Sequence, residues 1–83
     1  MKIGFVGIII EGDRAVASSV QQILGEYGDL IVGRMGLPNL EHNVCMITVG
    51  VKGSQERISA MAGKLGRLKN VKVKSAVSDI DIS

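Results

Sequence analysis

Two apolar stretches decide the fold: Ile3-Gly4-Phe5-Val6-Gly7-Ile8-Ile9-Ile10 and Val44-Cys45-Met46-Ile47-Thr48-Val49-Gly50-Val51. Each is short, rich in β-branched residues and closed by a glycine-containing turn, Glu11-Gly12 or Lys52-Gly53, as a buried strand is. After the first stretch the period changes. Gly12-Asp13 supplies a turn and an N-cap, because the Asp carboxylate accepts from free backbone N–H groups. Val16, Val20, Ile23, Leu24 and Tyr27 then share an arc of about 100° at helical pitch, and Gly28 stops the helix. Leu30 to Leu37 reads as a second strand, with Pro38-Asn39 turning the chain into the Val44–Val51 strand as a hairpin. Ser54 caps a second helix with Glu56 in its first turn, and Ile58, Met61, Ala62, Leu65 and Leu68 form its apolar stripe. Lys69-Asn70 leads into a fourth strand, Val71 to Val77, which Ile80 and Ile82 can extend.

The order is βαββαβ. This is the α+β, ferredoxin-like arrangement: a four-stranded antiparallel sheet, strand order 4-1-3-2, with two helices on one face. One such unit accounts for residues 1–83, so a single domain is expected.

Composition limits the function. The 83 residues are 46% hydrophobic, but Phe5 and Tyr27 are the only aromatics, so the core is aliphatic. So short a chain buries a small share of its surface, and association with another chain is one standard remedy. A net charge of +2 is no polybasic footprint. The single Cys45 excludes an intramolecular disulfide and fits a reducing cytoplasm. No stretch reaches the roughly 18 apolar residues that span a bilayer, and the apolar start lacks a small-residue cleavage site. A soluble cytoplasmic protein without a membrane partner is expected.

The two central strands are apolar at nearly every position. A sheet face open to solvent calls for polar residues at alternate positions. Strand one instead sets Ile3, Phe5 and Ile9 against Val6, Ile8 and Ile10, and strand three sets Val44, Met46 and Thr48 against Cys45, Ile47, Val49 and Val51. Helices cover one face only, so the other is expected to meet a second copy, as a homodimer or homotetramer. The interface is expected among Phe5, Ile8, Ile10, Met46, Ile47 and Val49. Lys72 and Lys74, alternating with Val71 and Val73, suit an edge strand.

Candidate chemistry is sparse. His42 is the only histidine and Cys45 lies three residues away, an odd spacing that sends strand side chains to opposite faces. These two residues are the weak candidates for a metal, which wants about four ligands, so no metal and no cofactor are expected. Without a nucleophile–base pair or clustered carboxylates, no enzyme activity is expected. Arg57, Lys64, Arg67, Lys69, Lys72 and Lys74 form an acid-free basic segment, and a nucleic-acid-binding module using residues 57–74 is the alternative function. RNA modules of this strand order stack bases on aromatics of the central strands, where only Phe5 is present, so nucleic acid is disfavoured. Gly63-Lys64-Leu65-Gly66 matches a GxxG loop in letters but lies inside the second helical stripe. The Gly12-Asp13-Arg14 turn, by contrast, offers donors to a carboxylate or phosphate, with Arg14 assisting and Asp13 partly opposing. Arg34, alone in an apolar strand, is either a ligand contact, a partner of Asp13 or Glu41, or solvent-facing. Gly12, Asp13, Arg14 and Arg34 are therefore the candidate ligand residues.

Arg34-Met35-Gly36-Leu37-Pro38, the run Glu41 to Val51, the stretch Ile58 to Gly66 and Asn70-Val71-Lys72-Val73-Lys74 together resemble the iron-only hydrogenase system regulators, small proteins of about this length. The resemblance implies an ACT-like domain, similar in fold to the C-terminal domain of the nickel-responsive repressor. ACT-like domains bind small effectors, often amino acids, at interfaces between copies. What it implies here is a non-catalytic, self-associating module that binds a small effector or a regulatory protein partner and is linked to iron-only hydrogenase expression or maturation. The nickel repressor's several metal-binding histidines have no counterpart beyond His42 and Cys45.

Overall fold

The computed structural model describes residues 1–12 and 14–79. The chain runs β1 (Lys2–Glu11), α1 (Arg14–Glu26), a 3-10 turn (Gly28–Leu30), β2 (Ile31–Glu41), β3 (Val44–Gly53), α2 (Gln55–Gly66) and β4 (Val71–Asp79). The strands form one antiparallel sheet in the order β2-β3-β1-β4, the expected order read from the other edge. The expected N-cap Asp13 and the extension by Ile80 and Ile82 lie outside the described residues.

Register decides which apolar face is covered. Ile8 pairs with Ile47, and Val6 with Val49. All four, together with Ile10 and Val51, are at most 6% exposed beneath the helices. Val20 and Leu24 of α1 and Ile58, Met61 and Leu65 of α2 complete the core. This corrects the expected interface: Ile8, Ile10, Ile47 and Val49 belong to the core, because alternation along each strand sends them to the helix side. Phe5, opposite Gly50, and Met46, opposite Ile9, do lie on the open face. There Phe5 is 54% exposed, Ile3 37% and Ile9 39%, and Met35 on β2 is 57% exposed.

A second correction concerns the hairpin. Pro38-Asn39 does not turn the chain; β2 continues to Glu41, and His42-Asn43 make the turn. Register shifts between Leu37/Met46 and Glu41/Val44, so Pro38, Asn39 and Leu40 bulge from the ladder. Proline can sit there because its missing N–H faces no partner strand, and β2 is an edge. Asn39 (φ 55°) and Asn43 (φ 54°) take the left-handed conformation that asparagine tolerates. The second helix starts as expected, with Ser54 Oγ accepting from Arg57 N–H at 3.2 Å. Gly63 to Gly66 are helical, so the GxxG letters form no loop.

Gly4 sets how closely β1 and β4 approach. A Cβ there would lie 2.3 Å from the Ala76 carbonyl oxygen, a backbone atom held in the ladder. Gly25, on the exposed side of α1, would meet nothing within 4 Å. Urea unfolding should therefore separate the two glycines. Gly4→Ala is expected to cost about 1–3 kcal/mol through backbone crowding. Gly25→Ala is expected to stabilise by about 0.5–1 kcal/mol through helix propensity.

Candidate functional site

The two helices leave the outer half of β2 bare, and every residue from Val32 to Asn43 is exposed. Between this hairpin and α1 run two adjoining cavities that share Cys45 as a wall. The first, about 350 Å³, is lined by Gly12, Arg14 and Ala17 on one side and Asn39, Asn43, Val44 and Cys45 on the other. The second, about 210 Å³, lies between Gln21 of α1 and Arg34, Gly36, Leu37 and Pro38 of β2, floored by Cys45, Met46 and Ile47. Arg14, Ala17 and Gln21 recur at helical spacing, so one face of α1 forms the whole wall.

Three of the four expected ligand residues therefore border one cleft, and Asp13 lies outside the described residues. Gly12 contributes less than a free donor, since its N–H already donates to the Asn43 carbonyl at 3.0 Å. That bond ties the β1–α1 turn to the hairpin tip and fixes the mouth of the first cavity. Arg34 lies opposite Val49 on the helix side of β2, away from Glu41, which pairs with Val44 on the open side. Its Nη2 donates to Gln21 Oε1 at 2.9 Å, holding the guanidinium across the cleft without neutralising it. Neither cavity is lined by a described acidic residue, so two arginines and three side-chain amides set a positive, hydrogen-bonding environment. The sequence reading missed Gln21, Asn39 and Asn43. The asparagines carried a signal in their turn propensity, whereas Gln21 looked like any solvated helix position.

His42 is exposed at the hairpin turn and Cys45 is half-buried in the cleft. Among the described residues, no group of three or more His, Cys, Asp or Glu is placed to hold a metal ion. No helix among them is long and apolar enough to cross a membrane.

The basic segment does not converge. Arg57 forms a two-contact ion pair with Asp29, and Lys64 approaches Glu26 at 3.6 Å. Both cations also flank the Tyr27 ring, at 5.5 and 5.2 Å from its centroid, which ties α2 to the end of α1. Lys72 and Lys74 pair with Ile9 and Gly7 and so lie on the opposite, open face of the sheet.

The comparisons with known proteins follow the fold. Residues 2–75 match the family model described as "TM1266-like: Iron-only hydrogenase system regulator, putative". The chain belongs to this family. Among solved structures, TM1266 from Thermotoga maritima superposes with a TM-score of 0.88 at 28% identity, over 95% of this chain and 100% of that one. No curated protein sequence matches. Membership of the TM1266-like family accounts for the ferredoxin-like fold and describes the chain as a regulator.

The ion pairs make an acid-side prediction. Hydrogen bonding from Arg57 holds the Asp29 carboxyl below its ordinary value, and Lys2 does the same for Asp79. A lowered carboxyl contributes stability above the unfolded value, near 3.9, and loses it as pH falls through the folded value. Thermal melts from pH 6 downward are therefore expected to show the wild type losing stability below about pH 4. Asp29→Asn should show a shallower loss, with the two proteins converging at the acid end.

Proposed function

We propose that this protein is a non-catalytic, cytoplasmic regulatory module of the iron-only hydrogenase system that works as a self-associated unit. Its ACT-like effector site is the cleft between α1 and the hairpin, and the effector is a small anion, a carboxylate or a phosphate. The observation that carries the reading is the open sheet face. Ile3, Phe5, Ile9, Val32, Met35 and Leu37 are each 37% or more exposed in the single chain. A contiguous apolar surface of this kind marks an association site. Family membership supports the regulatory role. The acid-free lining around Arg14 and Arg34 supports the anion. The division of the basic residues between two faces, with Arg57 and Lys64 already paired, favours this reading over a nucleic-acid module.

Light scattering at micromolar concentration should give a mass of at least two 8.8-kDa chains. A strict monomer would count against the proposal. A thermal-shift screen of amino acids, other carboxylates and phosphates tests the cleft. A binding anion at one hundred times its Kd should add about 2.7 kcal/mol, and Arg34→Ala should abolish the shift. If no anion shifts the wild type, the effector half of the proposal fails.

A further inference from the structure

The open face carries charges in an arrangement that selects one way for two copies to meet. At one end of the sheet, Glu11 pairs with Val44 on one side and Glu41 pairs with the same Val44 on the other, so two carboxylates flank one valine. At the other end of the same strand Lys52 pairs with Ile3. Among the described residues, none of these three charges has an ion-pair partner within the chain. Between them lies the apolar patch, and its middle rung is Gly7 opposite Thr48, the smallest pair on the two central strands of this face.

From this pattern we infer that the open face docks a second copy of this chain about a two-fold axis perpendicular to the strands and passing over Gly7 and Thr48. The proposal rests on the self-association proposed above and adds its geometry. Residue 48 is midway between 44 and 52, and residue 7 is midway between 3 and 11. Rotation about that rung therefore lays Val44, with its flanking glutamates, over Lys52 of the second copy, and the pairing occurs twice by symmetry. Sizes match as well as charges. The same rotation places Met46 over Gly50, Lys72 over Ala76 and Leu37 over Gly33, so a large side chain meets a small one on three of the four strands, and Ile9 meets Phe5 on the fourth. On the central strands the small Gly7 and Thr48 at the axis let two sheets approach to the usual separation of about 10 Å, and Met35, on the same rung of β2, meets its own copy there. Lys74 meets its own copy at the edge, where both ammonium groups reach water. The other face-to-face rotation, about an axis along the strands, gathers four glutamates at one end and both Lys52 side chains at the other. Like-charge juxtaposition disfavours it.

Charge reversal tests the orientation separately from association. Sedimentation equilibrium of the full chain at moderate ionic strength, with circular dichroism confirming the fold, compares four proteins. Lys52→Glu alone and Glu11→Lys/Glu41→Lys together should each raise the dimer dissociation constant about tenfold or more. The triple exchange restores the attraction with reversed sign, and should return the constant to within about threefold of wild type. Single-sided reversals that leave the constant unchanged, or a triple variant no tighter than they are, overturn this orientation while self-association stands. A wild type that stays monomeric overturns both.

Discussion

Everything in this molecule depends on the antiparallel register between β1 and β3. Pairing Ile8 with Ile47 and Val6 with Val49 gathers one set of aliphatics beneath two helices, and leaves Ile3, Phe5, Ile9 and Met46 on the other side. Strand side chains alternate with a period of two, so a slip of one residue would exchange the sets. The helical stripe Ile58, Met61 and Leu65 would then face Phe5, Gly7 and Ile9 in place of Val6, Ile8 and Ile10. Both the core and the exposed apolar surface are consequences of the same pairing.

The second constraint is coverage. Two helices roof the central strands and β4, but the outer half of β2 extends past them with both faces exposed. The cleft exists because α1 stands beside this bare strand without closing on it. The bulge at Pro38 to Leu40 and the left-handed Asn39 and Asn43 then direct amides toward the mouth of the cleft, and the bond from Gly12 N–H to the Asn43 carbonyl holds that mouth together. The cleft lies on the helix side of the sheet, and Ile3, Phe5, Ile9 and Met35 are exposed on the other.

Much of the fold was legible in the sequence because its signals are local. Strand periodicity, the Ser54 cap and the stripe of α2 each appear within a dozen residues, and the βαββαβ order follows from them. The hairpin was misplaced because Pro38-Asn39 is an ordinary turn signal, and only pairing with β3 shows that an edge strand absorbs it as a bulge. Likewise, sequence alternation showed that strands one and three have two apolar faces, but not which face the helices cover. That choice depends on long-range register, so Ile8, Ile10, Ile47 and Val49 were assigned to the wrong side. At the site, Arg14 and Arg34 stood out as charges, whereas Gln21 became visible only through its bond to Arg34.

The central claim is that the open face is covered in solution, and methionine oxidation reads this directly. In the single chain Met1 is 60% exposed and Met35 on the open face 57%, whereas Met61 in the core is fully buried. Under dilute peroxide, with mass spectrometry following each site at micromolar protein, Met35 should oxidise several-fold more slowly than Met1 and approach the protected Met61. Dilution of the protein should release it. Equal rates for Met35 and Met1 at every concentration would contradict the claim.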